Sequence, residues 1–105
     1  MLAQVSITPV GVGEEIKDLL AKTLKIIAKS ELSYQLTSMG TIIEGDWDEV
    51  MTIVKKCHEE LLGFSERVVT SITVDDRKNM TDRLKKNALD IEYAVGDNLA
   101  TNGLT

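Results

Sequence analysis

The sequence predicts an α+β sandwich in which a four-stranded antiparallel sheet carries two helices on one face. Three observations support this prediction. The 105 residues are enough for one domain and no more. Apolar residues alternate in four short segments and recur at helical spacing in two longer ones. These segments follow one another as strand, helix, strand, strand, helix, strand, which is the split βαβ order of the ferredoxin-like βαββαβ topology.

The first strand is predicted over residues 2–8, where apolar and polar side chains alternate. Pro9 and Gly11 are expected to end it. Over residues 14–29 the apolar residues then recur at the spacing of an amphipathic helix. Glutamates begin this helix and lysines end it, as the helix dipole favours. We expect the apolar side of this helix to cover the sheet.

The second and third strands are predicted over residues 34–39 and 41–43, with Gly40 as a break between them. The two strands either pair as a hairpin or run on through a β-bulge. In both cases Gly40 marks the point at which the backbone departs from a regular strand.

The second helix is predicted to begin after Asp46, because Glu49 follows it at the spacing of a capping box. Gly63 is expected to end this helix in a left-handed C-cap. The last strand is predicted over residues 67–74. We expect both helices to lie on one face of the sheet, so the other face is bare. That bare face, which includes residues of the first and last strands, could bind a second subunit or a ligand.

The C-terminal part of the sequence has weaker patterning. Residues 81–93 predict a short helix with a thin apolar face, and residues 96–105 predict a tail without periodicity. We therefore expect a single domain over residues 1–95 and a tail over residues 96–105.

The sequence contains 12 basic and 17 acidic residues, a net charge of −5. Proteins that bind nucleic acid or anionic membranes need an excess of positive charge, so neither is predicted as a partner. No apolar run approaches the roughly 20 residues that span a bilayer. The N-terminal residues lack the basic start of a signal peptide, and the single cysteine cannot form an intrachain disulfide. These features predict a cytoplasmic protein.

The reactive side chains are few. His58, the sole histidine, lies at the border of the apolar face of the second helix, which is typical of a core or interface residue with one hydrogen bond. A ligand contact or a hydrogen bond to Glu44 is the alternative. One histidine beside Cys57 does not make a zinc site, and Cys57 lacks a second cysteine or a base. We predict no metal, no cofactor and no catalytic residue, although an acid–base pair of His58 and Glu44 remains a competing hypothesis.

Several segments together resemble the small thiamine-binding protein family that is related to the YkoF proteins. The most specific is Met39-Gly40-Thr41-Ile42-Ile43-Glu44-Gly45, followed by Asp48-Glu49 and by His58-Glu59. The opening Ile7-Thr8-Pro9-Val10-Gly11, the pair Arg67-Val68 and Val74-Asp75-Asp76-Arg77 are similar too. The resemblance covers about residues 2–93. It implies a ferredoxin-like subunit that assembles into homodimers or homotetramers and binds thiamine or its hydroxymethylpyrimidine moiety without chemistry.

Such a ligand needs hydrogen-bonding groups for the aminopyrimidine, a flat apolar wall and no strong positive charge. Glu44 is expected to emerge at the end of a strand, where it either binds the ligand or makes a local cap or salt bridge. Trp47 either anchors the helix by packing or stacks on the ligand. The candidate ligand-binding residues are Ser38, Met39, Thr41, Glu44, Trp47 and His58. The competing function is an oligomeric regulatory or scaffolding module without a thiamine ligand.

Overall fold

The structure, a computed structural model, describes residues 1–78. Its elements are β1 (Leu2–Val10), a 3-10 turn (Gly13–Glu15), α1 (Ile16–Lys29), β2 (Ser33–Thr37), β3 (Gly40–Glu44), α2 (Trp47–Leu62) and β4 (Arg67–Asp75). The strands form one antiparallel sheet in the order β2-β3-β1-β4. This confirms the ferredoxin-like prediction. The helix predicted over 81–93 and the tail over 96–105 lie outside the described residues.

The register of the sheet assigns each side chain to one of its two faces. Ala3, Val5 and Ile7 of β1 are buried, and β4 places Val74, Ile72 and Thr70 directly opposite them. This face is covered by the two helices, because their buried residues complete the same core. The core residues of the helices are Leu19, Ile27, Val50, Ile53, Val54, Cys57 and Leu61. The bare face carries the alternate residues, among them Gln4, Ser6 and Thr8.

The two helices also contact each other through a buried thiol. Cys57 of α2 has no exposed surface, and its Sγ donates to the carbonyl oxygen of Thr23 on α1 at 3.6 Å. Burial raises the pKa of the Cys57 thiol to about 11, since the thiolate would be desolvated in the core. The thiol therefore stays protonated at neutral pH and is part of the packing between the helices.

The ends of α2 match one prediction and contradict another. Asp46 accepts from the backbone N–H of Glu49 at 2.8 Å, and the Glu49 side chain accepts from the N–H of Asp46 at 3.1 Å, so the capping box is confirmed. The left-handed C-cap at Gly63 is wrong, because Gly63 has a right-handed backbone with φ −69°. Successive N–H groups of Gly63 and Phe64 bond carbonyls three residues back, so the chain leaves the helix through a tighter turn.

β1 is longer than its sequence pattern predicts, because Pro9 does not end it. The strand continues to Val10 and pairs with β4 throughout, with Pro9 opposite Val68. A proline fits into a sheet where its missing N–H would face an unpaired side. That side exists here, since β3 pairs with β1 only from Leu2 to Val5.

β2 and β3 form the hairpin alternative, with Ser38 and Met39 in the turn. The hydroxyl of Thr37 closes this turn by donating to the Gly40 carbonyl at 2.8 Å and accepting from the Met39 N–H at 3.1 Å. Gly40 has φ 137°, and the carbonyl oxygen of Val5 lies directly against it. Only a residue without a β-carbon permits this close approach of the hairpin to β1.

Candidate functional site

A cleft of about 580 Å³ lies between α1 and the sheet, at the turn of the β2–β3 hairpin. Three parts of the chain line it: one side of α1, the middle of β1 and the hairpin from Leu36 to Thr41. The volume is within the range of roughly 300–1,000 Å³ that is usual for small-molecule sites. The size of the cleft therefore suits a small organic ligand.

The walls of the cleft are mainly apolar. Apolar side chains of α1 line the cleft because the apolar face of this helix is wider than the part of the sheet that it covers. Thr23 and Ile27 of α1 are buried against the core, whereas Leu20, nearer the rim, is exposed. On the hairpin side, Leu36 and Met39 are exposed as well. The apolar lining residues are Val5, Ile7, Ile16, Leu20, Leu24, Ile27, Leu36 and Met39.

Hydroxyl groups supply the polar part of the lining. Two are used internally: Thr23 donates to the carbonyl of Leu20 at 2.7 Å, and Thr37 closes the hairpin turn. Four others, on Ser6, Thr8, Ser38 and Thr41, line the cleft and make no hydrogen bond to any residue of the range 1–78. These four hydroxyls are free to donate to or accept from a bound molecule.

No charged side chain of residues 1–78 lines the cleft. Its ligand would therefore meet hydroxyls, main chain and hydrocarbon, without a direct ionic partner from that part of the chain. Such a site suits a flat ring with a few hydrogen-bonding atoms better than a phosphate or a carboxylate, which need cationic partners.

The comparison with known protein families agrees with this geometry. The model of the family described as thiamine-binding protein matches residues 3–92, which is most of the chain. The chain belongs to the thiamine-binding protein family. This family is named for binding a small molecule and not for a reaction, and the resemblance seen in the sequence is thereby confirmed.

Curated relatives are similar to this chain along most of their length. UPF0045 protein MJ1052 of Methanocaldococcus jannaschii is 33% identical over 86 residues, which are 82% of this chain and 86% of the relative. UPF0045 protein MT1949 of Mycobacterium tuberculosis is 34% identical over 93 residues, 88% of this chain and 91% of the relative.

Solved structures show the same fold. The crystal structure of protein MJ1052 matches with a TM-score of 0.77 at 31% identity, over 91% of this chain and 95% of that one. The Thermotoga maritima protein TM0486, which is provisionally assigned to thiamine biosynthesis or salvage, matches with a TM-score of 0.71 over 82% of this chain and 94% of that one. At 20% identity, the second comparison shows the fold alone.

Three of the six residues predicted to bind a ligand line the cleft. Ser38 and Met39 form the hairpin turn, and Thr41 follows on the face of β3 that the helices cover. Met39 is 75% exposed, so it lies at the mouth and not on the floor. The motif that carries the family resemblance therefore begins in the cleft.

Glu44 and Trp47 lie away from the cleft. Glu44 ends β3 about 13 Å along the strand from Gly40 and pairs with Leu2 and Ser33, whose side chains belong to the bare face. Trp47 begins α2, and its side chain is 56% exposed. Trp47 therefore lies outside the buried core, and its two expected roles, a packing anchor or a stacking surface, stay predictions. Neither side chain shares a wall with Ser38 or Thr41.

His58 also lies outside the cleft. Its Nδ1 is 2.6 Å from the hydroxyl of Thr70, so the ring connects α2 to β4 at half-buried positions. His58 is eleven residues into α2, about 16 Å from its start, and it faces the strand farthest from the hairpin. A single internal hydrogen bond to Thr70 is thus the observed arrangement, in place of the proposed bond to Glu44.

Sequence reasoning missed the contribution of α1 and β1 to the cleft. The signal was present in α1, where Leu20 and Leu24 extend the apolar face beyond the positions that are buried. An apolar face that is wider than the surface it covers indicates a groove. Ser6 and Thr8 gave no such signal, because alternating polar residues are ordinary on a half-exposed strand.

Two further features concern the described part of the chain as a whole. None of the helices in residues 1–78 has the length and hydropathy that crossing a membrane requires. In the same range, no three or more histidine, cysteine or acidic side chains are grouped so that they could hold a metal ion.

Proposed function

We propose that this protein binds thiamine, or its hydroxymethylpyrimidine moiety, in the cleft between α1 and the β2–β3 hairpin, and releases it unchanged. One observation carries the proposal: the cleft combines apolar walls with four unengaged hydroxyls and has no charged lining among residues 1–78. Membership of the thiamine-binding protein family supports the choice of ligand.

The ligand and the cleft are chemically complementary. The aminopyrimidine ring of thiamine is flat and has an amino donor and ring-nitrogen acceptors at its edge. Leu24 and Ile27 of α1 offer an apolar wall for such a ring, and Thr41 and Ser38 offer hydroxyls for its edge. Burial of the ring supplies affinity, and the few hydrogen bonds fix its orientation.

The thiazolium part of thiamine is a cation, and the electrostatics of the protein do not oppose it. The net charge is −5, and no lysine or arginine of residues 1–78 lines the cleft. Thr8 and Ser38 border the cleft at exposed positions, where hydroxyl oxygens can face the cation. A charged thiazolium at the wet rim and a pyrimidine in the apolar interior match this polarity.

The same lining argues for binding without turnover. General acid–base catalysis needs a titratable side chain within hydrogen-bond reach of the substrate. The described lining holds no histidine, cysteine, lysine or carboxylate, and its hydroxyls have no adjacent base to activate them. His58, the residue of the acid–base hypothesis, is engaged with Thr70 on another part of the sheet.

Calorimetric titration of purified protein with thiamine tests the proposal. Thr41→Val replaces a cleft hydroxyl with a methyl group of the same shape and is expected to weaken binding about 2- to 12-fold, the cost of one hydrogen bond. Thr52→Val, at an exposed position on α2, is the matched control and should bind as the wild type does. Recovered thiamine should be chemically intact after prolonged incubation.

A second variant tests the location of the site. If the ligand instead lies near Glu44 and the start of α2, away from the cleft, Glu44→Gln should weaken binding and Thr41→Val should not. The reverse result supports the cleft. Absence of binding by either variant and by the wild type at millimolar thiamine, with the fold intact, would favour the scaffold function instead.

The proposal includes a homodimer or homotetramer in the cytoplasm. The bare sheet face supports assembly, since Val69 is exposed there and Ile42 is only half-buried among small polar residues. Light scattering after gel filtration should give at least twice the subunit mass of 11.6 kDa. A monomer that binds thiamine would support the proposed ligand and contradict the proposed assembly.

A further inference from the structure

The cleft follows the edge of β1 and does not lie on one face of the sheet alone. Its lining includes four consecutive residues of this strand, Val5, Ser6, Ile7 and Thr8. Consecutive side chains of a strand point to opposite faces, so a cavity confined to one face would contact every second residue. A cavity that contacts all four must run along the main chain at the strand's edge.

This edge of β1 has no neighbouring strand beyond Val5 in the part of the chain that is described. β3 pairs with β1 from Leu2 to Val5 and then turns away through Ser38 and Met39. The turn closes one end of the cleft. The next main-chain groups of β1 are therefore presented to the cavity and not to a third strand.

Two observations identify which main-chain groups face the cavity. The carbonyl oxygen of Val5 points toward β3, because it lies against Gly40. Pro9 is four residues after Val5, so its main chain is directed to the same side as that of Val5, and it has no N–H there. In an antiparallel sheet, alternate residues direct both their N–H and C=O to the same side. Ile7 lies between these two, so its N–H and C=O face the cleft.

We infer that the main-chain N–H and C=O of Ile7 recognise the aminopyrimidine edge of the ligand, an inference that rests on the proposed function. The N–H donates to a ring nitrogen, and the C=O accepts from the neighbouring amino group. The two groups of one extended residue form an adjacent donor and acceptor, and this is the complement of the amino group and ring nitrogen on a 4-aminopyrimidine.

The position of Ile7 also makes this recognition rigid. Ile7 as a whole residue is 9% exposed and belongs to the core, and on its other side β1 is paired with β4 from end to end. The donor and the acceptor are thus held in place before the ligand arrives, which reduces the entropy lost on binding. Because the recognising groups are main-chain atoms, the residue type at position 7 does not reveal such a site.

The test uses ¹⁵N-labelled full-length protein and three related ligands. Thiamine and pyrithiamine share the aminopyrimidine, whereas oxythiamine has an oxygen in place of the amino group and a protonated ring nitrogen. We expect the Ile7 amide resonance to shift with saturation on adding thiamine or pyrithiamine. Oxythiamine should bind at least about tenfold more weakly, because its donor and acceptor are reversed.

The possible outcomes separate the two proposals. If thiamine binds and shifts the amides of Leu24 and Thr41, but leaves Ile7 unchanged and binds no better than oxythiamine, the Ile7 inference is overturned and the cleft remains the site. If no amide shifts at millimolar thiamine while the spectrum shows a folded protein, the proposed function fails and the inference fails with it.

Discussion

The carbonyl oxygen of Val5 lies 2.6 Å from the point that a β-carbon on Gly40 would occupy. Real β-carbons do not approach a backbone oxygen so closely, so the hairpin and β1 are joined at a position that tolerates only glycine. Because this contact sets where the hairpin leaves β1, it also sets the closed end of the cleft.

Gly40→Ala is therefore expected to lower the free energy of unfolding by about 3 kcal/mol or more, from the contact and from the backbone angle φ 137° together. Gly11→Ala is the control, since Gly11 has φ 78° but open space around it. It should cost about 1–2 kcal/mol, the strain of the left-handed backbone alone. Urea denaturation measures both, and equal losses would contradict the role of the contact.

Introducing a positive charge at the cleft should repel the thiazolium cation. Leu36 and Leu62 are leucines of similar exposure, 48% and 46%, but only Leu36 lines the cleft. We expect Leu36→Lys to weaken thiamine binding about tenfold and Leu62→Lys to leave it unchanged, with the difference shrinking as salt is added. Calorimetry at two ionic strengths checks this, and similar affinities for the two variants would place the ligand elsewhere.

Hydrogen exchange tests the open edge of β1 without a ligand. By the alternation inferred from the Val5 carbonyl, the amides of Ser6 and Thr8 should bond to β4, whereas that of Ile7 should face the cleft. In the free protein, Ile7 should exchange markedly faster than its two neighbours, and thiamine should slow it. Equal protection of the three amides in the free protein would mean that another segment or subunit covers this edge.

The bond between His58 and Thr70 is expected to contribute to stability and not to binding. Thr70→Val should lower the free energy of unfolding by about 1 kcal/mol, because it removes one half-buried hydrogen bond. His58→Ala should cost more, since packing is lost too, and the double variant should show that the two losses are not additive. Thiamine affinity should be unchanged in all three, and a weakened affinity in Thr70→Val would contradict this.

Cys57 should make stability depend on pH above neutrality. Its pKa is raised from the ordinary 9.0 to about 11, so between these values the unfolded chain loses the thiol proton and the folded chain keeps it. Stability is then full below pH 9 and falls by about 2–3 kcal/mol toward pH 11. Subtracting the profile of Cys57→Ala, which lacks this titration, isolates the effect, and parallel profiles would disprove it.

The order and faces of the elements were predictable because they depend on local patterns. Alternation assigned Ala3 and Val5 to the core face, and the Asp46–Glu49 spacing located the start of α2. The ends of the helices and strands were less predictable from the sequence. Pro9 is an ordinary strand terminator, and only the short length of β3 makes it acceptable inside β1.

Three of the six predicted residues line the cleft, because the sequence shows which residues are neighbours along the chain but not which helix packs beside them. Thr41 and Glu44 are three residues apart, yet an odd separation along a strand puts their side chains on opposite faces of the sheet. The sequence pattern grouped them because they are close along the chain. The cleft instead joins Thr41 to Leu24, whose proximity depends on how α1 packs on the sheet.

Pro9 has a consequence for how this protein avoids aggregation. An exposed strand edge invites another strand to add to it, and proteins often block such edges with proline. Here the block falls one hydrogen-bonding position beyond Ile7, so an incoming strand would meet one donor and then a residue that cannot donate. A single ring can use that short stretch of edge, while a growing β-assembly cannot extend along it.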